Sequence, residues 1–317
     1  MGLKKIMKII KERNIDFFKI ITAPAIIAVF LIIVLMLGVY LTYAWPAIAK
    51  YGINLFIDNI WQASEDPSKE VYGLAAPIWG SIYSAIIALL VALPLAICYA
   101  IFVNDYAPKK IKYPLIIISD IMAGLPTIIY GIWGAVVLVP ILRDYIMKFL
   151  YENFSFIPLF NYPPLMGYSY LAAGVLLGIM VTPFAAAIIR EAYAMIPSIY
   201  KEGLIALGAT KYEATKVLIK FIKPAIISSM VLAFGRALGE TVAVSLVIGN
   251  SFNLTYKLFA PGYTISSLIC NQYGNAALYK YMTSVLYAAG LVLFVIGLVV
   301  NVIGIYYLKR WRENVSE

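Results

Sequence analysis

The sequence predicts an all-α, polytopic membrane protein with six transmembrane helices. Three observations lead there. Hydrophobic residues make up 63% of the 317 residues and charged residues only 13%, with a mean hydropathy of +0.88. A soluble domain carries about 25% charged residues, and its surface cannot hold so much apolar side chain away from water. Second, six stretches reach the roughly 20 apolar residues that a membrane crossing needs. Third, Lys and Arg are distributed unevenly between the segments that join those stretches. Together these exclude a soluble enzyme, a disordered chain and a disulfide scaffold.

Taken in order, the predicted spans are 20–43, 75–103, 113–142, 169–189, 225–250 and 283–308. The first is too long for a signal-peptide core and reads as a retained helix. The second contains Pro94 and the third Pro126, and proline inside a membrane helix marks a kink or a break that neighbouring helices tolerate. The domain plan is a basic cytoplasmic tail at 1–16, a first helix with its outer loop at 17–74, the main transmembrane domain at 75–308, and a cytoplasmic tail at 309–317.

With the N-terminus inside, 18 of the 25 Lys and Arg residues fall on the cytoplasmic side and six on the other, while Arg236 lies within a span. This bias follows the positive-inside rule and places both termini in the cytoplasm of a cell membrane. The net charge of +9 is therefore a topology signal and does not point to nucleic acid. Cys98 and Cys270 match no metal spacing and read as small apolar residues. The chain has no histidine, no nucleotide-binding glycine loop and no nucleophile–base pair, so it reads as no enzyme, with any ATP used on a partner chain.

The outer loops differ in texture. Residues 58–70 are mildly acidic, 143–168 are rich in rings suited to a membrane interface, and 251–282 are long and polar enough to fold over the outer mouth. Asn153 and Asn253 both stand in N-x-[ST] sequons on this side.

The cytoplasmic segment at about 196–223 is the most informative. It reads as two short helices joined at Gly208, a residue suited to a left-handed helix end. Thr210 followed by Glu213 forms a capping box that starts the second helix. Leu204, Ile205 and Leu207 give the first an apolar face. That face suits a partner's groove and equally suits the membrane surface or this chain's own helix ends.

Glu202-Gly203-Leu204 followed by Gly208 resembles the E-A-A-x-x-x-G loop of ABC importer permeases, with Gly203 where Ala is usual. The downstream I-x-L-P of that loop is less well kept, since Leu218-Ile219-Lys220-Phe221 has its proline only at 224. Leu125-Pro-Thr-Ile-Ile-Tyr-Gly-Ile-Trp-Gly134 is similar to the I-P-S-V-V-Y-G-L-W-G of phosphate permeases. Gly235-Arg-Ala-Leu-Gly-Glu-Thr-Val-Ala-Val244, Ile248-Gly-Asn250 and Ser266-Ser-Leu-Ile-Cys-Asn-Gln-Tyr273 resemble the PstC family. The likeness runs from about residue 75 to the C-terminus. It implies a type I ABC importer permease fold and a phosphate ion as cargo. The implied partners are a PstA-like second permease, two ATPase subunits and an extracytoplasmic phosphate-binding protein. It also implies that Glu202, Gly203, Leu204, Leu207, Gly208, Thr210 and Glu213 couple to the ATPase.

Asp120, Arg236 and Glu240 are the ionisable residues inside predicted spans. Each costs at least about 2.5–3.5 kcal/mol at a helix centre and calls for a polar cavity or a partner. Arg236 and Glu240 stand four apart, so on one helix they share a face. They read either as an ion pair that fixes packing, helped by a close approach at Gly235 and Gly239, or as the lining of an anion path. The resemblance favours the path: a guanidinium fork matches phosphate oxygens, and a carboxylate accepts the proton that phosphate carries and sulfate lacks. Asp120 and Thr241 are counted with Arg236 and Glu240 on that path, Asp120 with the alternative of pairing with a neighbouring helix or with Arg236. Thr241 and Ser245 extend a polar stripe or bond back to their own helix, and the second is the simpler reading. The alternatives are a permease for sulfate or molybdate, and a secondary carrier that works without ATP.

Overall fold

The computed structural model describes the backbone of residues 3–315 and the side chains of residues 22–304 and 306. The two tails predicted at 1–16 and 309–317 lie outside the residues whose side chains are described. Helix α1 (Leu3–Tyr51) carries the first apolar span at Thr22–Tyr51. A short hairpin of β1 (Trp61–Gln62) and β2 (Val71–Tyr72) follows, with Trp61 opposite Tyr72. Helix α2 (Ala75–Ile101) runs unbroken through Pro94 and ends in a π-helical turn at Phe102–Tyr106. Helix α5 (Tyr170–Ala194) packs along it at the centre of the molecule. Two thirds of the apolar window of α5 is buried and none of that of α1, which separates the core helix from the peripheral one.

Glycine permits the α2–α5 contact. A Cβ on Gly174 would lie 2.4 Å from Ile87 Cγ2, and one on Gly178 would lie 2.7 Å from Val91 Cβ. This is the small-residue spacing by which membrane helices approach closely. The close approach expected at Gly235 and Gly239 is not made, since nothing lies within 4 Å of a Cβ built on either.

Two predicted spans are broken. The third was expected as one helix over 113–142. Instead α3 (Lys109–Gly124) ends before Pro126, and α4 (Thr127–Phe154) starts after it and supplies the span. Leu125 precedes a proline, which disfavours helical backbone, and it is extended at ψ 140°. Beyond Trp133, α4 continues through two π-helical stretches, so much of the aromatic segment placed in an outer loop is helical. The fifth span, expected over 225–250, stops earlier. Helix α6 (Ser198–Ala206) and helix α7 (Lys211–Phe221) lead into α8 (Lys223–Gly239), with a 64° bend between α7 and α8. Glu240 then turns extended, and a short α9 (Val242–Ser245) follows. Among the described residues there are thus five helices long and apolar enough to cross a membrane, or six if the bent pair counts as one span.

After α9, Gly249 (φ +92°) and Asn250 (φ +49°) turn the chain sharply. A Cβ at Gly249 would meet Pro261 at 2.7 Å, so the turn needs glycine for space as well as for dihedral. Residues 251–264 then run over the ends of α2 and α5. Trp79 donates to the Thr255 carbonyl (2.8 Å), Tyr83 to Tyr256 (2.6 Å) and Tyr170 to Asn253 (2.6 Å). Helix α10 (Ile265–Gln272) starts at a capping box between Thr264 and Ser267.

Helix α11 (Met282–Val315) packs on α1, where Tyr43 stacks on Tyr287 at 4.9 Å. Its start is held by Glu70, a buried carboxylate that accepts the amides of Lys280 and Tyr281 at 3.2 Å and the Tyr72 hydroxyl at 3.0 Å. Burial pushes the Tyr72 phenol up, and its bond to Glu70 adds to the shift. Glu70 is therefore structural, although it was counted in an acidic outer loop.

Candidate functional site

The two breaks described above meet at Arg236. The end of α3 leaves carbonyls without helical partners. Tyr130, the first residue of Tyr-Gly-Ile-Trp-Gly, donates its hydroxyl to the Met122 carbonyl at 2.7 Å. Arg236 Nη2 donates to the next carbonyl, that of Ala123, at 3.4 Å. A cation at the carbonyl end of a helix is favoured by the helix dipole. The guanidinium also lies 5.6 Å from the centre of the Phe184 ring on α5, within the range of cation–π attraction. The glycines of the same motif let α4 settle here: a Cβ on Gly131 would lie 2.9 Å from Ala243 Cα, and one on Gly134 would lie 2.8 Å from Leu176.

Glu240 is not where helical spacing put it. Because α8 ends at Gly239, Glu240 leaves the face that carries Arg236, and no ion pair joins the two. Its side chain reaches forward to the Ala243 amide at 3.4 Å, while its own carbonyl accepts the Ser266 hydroxyl at 2.8 Å. Glu240 is 9% exposed, and its carboxylate serves the start of α9.

Thr241 bonds back to the Gly239 carbonyl at 3.2 Å, inside the break. Ser245 does not bond back to a helix carbonyl but donates across to Asn271 on α10 at 3.1 Å. Asp120 is brought to neither residue of the site. It lies on α3, half exposed, in an ion pair with Arg190 of α5 at 3.5 Å. The structure therefore gathers Arg236, the α3 carbonyl end, Phe184 and Tyr130. It holds Glu240 and Thr241 at the adjoining break and leaves Asp120 elsewhere.

The helix pair α6–α7 forms as the local signals require. Gly208 has φ +89° and ends α6. The Thr210 hydroxyl accepts the Glu213 amide at 3.3 Å, and the Glu213 carboxylate accepts the Thr210 amide at 2.8 Å and its hydroxyl at 2.7 Å. Those bonds, the hydroxyl first, hold the Glu213 carboxyl below its usual range. The apolar face divides. Leu204 packs inward, whereas Ile205 is half exposed and Leu207 is 87% exposed. Glu202 and Gly203 are exposed beside them.

The sequence reading passed over one group here. Asp105, at the end of α2, accepts bonds from Tyr193, Lys201 and Thr215. An acid that closes an apolar run reads as a solvated end, and only the fold shows it buried. Asn153 is exposed on α4, and its amide bonds back to Phe149 at 2.8 Å. The Asn253 amide is engaged by Ser251 and Pro261, both at 3.1 Å. Cys98 and Cys270 are exposed and free. Among the described residues no cluster of acidic and cysteine side chains is arranged to hold a metal.

The comparisons agree with this architecture. The profile of the family described as "Binding-protein-dependent transport system inner membrane component" matches residues 96–313. A protein of Methanocaldococcus jannaschii named "Probable phosphate transport system permease protein PstC" is 79% identical over 316 residues, covering 100% of this chain and 99% of that one. The "Phosphate transport system permease protein PstC" of Xylella fastidiosa is 38% identical over 88% of this chain and 86% of its own. That of Haemophilus influenzae is 36% identical over 88% of each. Profile, full-length identity and helical architecture coincide: the chain is a multi-pass membrane protein that belongs to the binding-protein-dependent transport permeases, in the PstC family.

Proposed function

We propose that this chain forms half of the translocation path of an ATP-driven phosphate importer. The observation that carries the reading is Arg236, a guanidinium where two helix breaks meet, in a chain related over its whole length to a protein named as a phosphate permease. Broken helices inside a membrane are tolerated where they line a cavity, and transporters place their ion sites at such breaks. Among the described residues Arg236 is held by one long carbonyl bond and no carboxylate, which leaves most of its planar fork for an oxyanion. Loose binding of that kind allows release as well as entry. Glu240 at the adjoining break accepts the proton of a phosphate ion and repels unprotonated sulfate. Thr241 adds a hydroxyl, and Asp120 serves its ion pair with Arg190.

The partner chains follow from the same reading. A PstA-like permease completes the path, and two ATPase subunits receive α6 and α7. A phosphate-binding protein delivers the ion on the far side of the cell membrane, and both termini are cytoplasmic. Hydrolysis of ATP belongs to the ATPase chains. Their closure pulls on Glu202, Gly203, Leu204, Leu207, Gly208, Thr210 and Glu213 and opens the path past Arg236. The test is radiolabelled phosphate uptake into vesicles holding the assembled complex, with and without ATP and with excess sulfate. Uptake that needs ATP and ignores sulfate is expected. Block by sulfate would move the cargo to another oxyanion, and uptake without ATP would make the protein a secondary carrier.

A further inference from the structure

The second span does not finish as an α-helix. Its last turn, Phe102–Tyr106, is π-helical, a form used mostly as single turns and often at functional sites. The wider turn sends three consecutive side chains to the elements that follow. Asn104 donates to the Arg190 carbonyl on α5 at 3.0 Å. The Asp105 carboxylate accepts the Tyr193 hydroxyl of α5 at 2.5 Å, the Lys201 ammonium of α6, and the Thr215 hydroxyl of α7 at 3.2 Å. The ring of Tyr106 lies 4.2 Å from the Lys211 ammonium, at the first residue of α7.

Asp105 is 3% exposed and its partner Lys201 is 32% exposed. A buried carboxylate is costly unless its lone pairs are met and a cation stands beside it, and here donors from three helices meet that need. Lys201 adjoins Glu202 in α6, so this helix turns Glu202 and Ile205 to the exterior, with Leu207 at its end, and Lys201 to the span. The carboxylate thus ties α6 and α7 to the end of the second span, beside the inward packing of Leu204.

We propose that Asp105 is the joint that carries movement of α6 and α7 into the second span. It is a positioning residue for energy coupling that acts through Lys201. The proposal rests on the reading of the chain as an ABC permease. It is tested on the whole complex in vesicles, by measuring ATP hydrolysis and phosphate uptake together for D105N, K201M, K201R and the double variant D105N/K201M. In D105N and K201M the complex assembles and hydrolyses ATP, while phosphate moved per ATP falls on the order of tenfold, the size of a typical coupling between sites. The double variant falls no further than either single one, because the two residues act as a pair. K201R, which keeps the charge, retains most of the ratio. A purely structural role would lower the amount of complex, and hydrolysis and uptake together, with their ratio unchanged; that result overturns the joint. Should D105N fail to assemble, K201M at the more exposed partner carries the same test. Wild-type uptake that needs no ATP would overturn the permease reading, and the joint with it. ATP-dependent wild-type uptake with an unchanged ratio in K201M overturns the joint alone.

Discussion

Arg236 donates to the carbonyl of Ala123 across 3.4 Å, from one interrupted helix to the end of another. Four residues later Glu240 stands outside the same helix, with its carboxylate turned to the amide of Ala243. The two charges that helical spacing would pair are separated by the break between them, and each is left with a task of its own.

Replacing Arg236 by Gln is expected to abolish phosphate uptake while the complex still assembles. A Gln side chain is too short to keep the long bond to Ala123, and it brings neither charge nor fork. Arg236→Lys retains charge without the planar donors and should lose at least about tenfold, the equivalent of one charge-assisted bond worth roughly 1.4 kcal/mol or more. Uptake in vesicles with quantified complex checks both, and undiminished uptake in Arg236→Gln would defeat the path assignment.

Glu240→Gln should leave thermal stability nearly unchanged, because the amide oxygen still accepts from Ala243 and no ion pair is lost. Its effect is expected in selectivity. Sulfate, no longer facing a carboxylate, should begin to compete with phosphate. Competition curves for wild type and variant, read side by side, decide the matter.

Two glycines of the α6–α7 segment should respond in opposite directions. Gly208→Ala forces a side chain into a left-handed backbone and is expected to cost about 1–2 kcal/mol, although space is open around it. Gly203→Ala meets nothing within 4 Å inside α6 and should stabilise by about 0.5–1 kcal/mol. Midpoints of thermal unfolding in detergent report both signs.

The capping box gives α7 a pH dependence. The folded Glu213 carboxyl is held below its ordinary value of 4.5 by the Thr210 hydroxyl and amide. Its contribution is therefore in place above that value, and it is lost as pH falls below it through the depressed folded value. Protection of the first-turn amides of α7, taken as the exchange rate relative to the intrinsic rate at each pH, should fall over that acidic range in wild type. In Thr210→Ala that protection should already be low at neutral pH, with little further change.

Overpacking tests the α2–α5 contact. Gly174→Ala puts a methyl 2.4 Å from Ile87 Cγ2, and the shift it forces should cost about 1–3 kcal/mol. Gly235→Ala, with open space, should not. A similar loss of unfolding midpoint in both would contradict the packing described.

What the sequence made legible was what neighbours along the chain decide. The apolar stretches became helices because their hydropathy is a local property. The turn at Gly208 and the Thr210–Glu213 cap formed because their partners lie within four residues. Pro126 announced its break, although the span it opens had to be moved from 113–142 to Thr127–Phe154. The break at Glu240 carried no proline, and the helical pattern ran through it, so the expected pairing with Arg236 failed. Asp105 was invisible because its partners lie 88, 96 and 110 residues away. The G-x-x-x-G spacing occurs at both Gly174–Gly178 and Gly235–Gly239, and spacing alone did not reveal which one faces a neighbour.

The pairing of α1 with α11 sets a timetable for biogenesis. Helix α1 is made long before α11, on which it packs, and Tyr43 meets Tyr287 only after some 240 further residues have been made. At about 5–20 residues per second that is a wait of roughly 10–50 s. During it α1 must remain in the lipid without its mate, a stage that independently stable membrane helices permit. Its apolar window, the most hydrophobic of the five, suits it to that interval. Glu70 waits as well, its carboxylate in water until residues 280 and 281 arrive. A nascent chain halted before α11 would thus display α1 without its mate and a loose acidic loop.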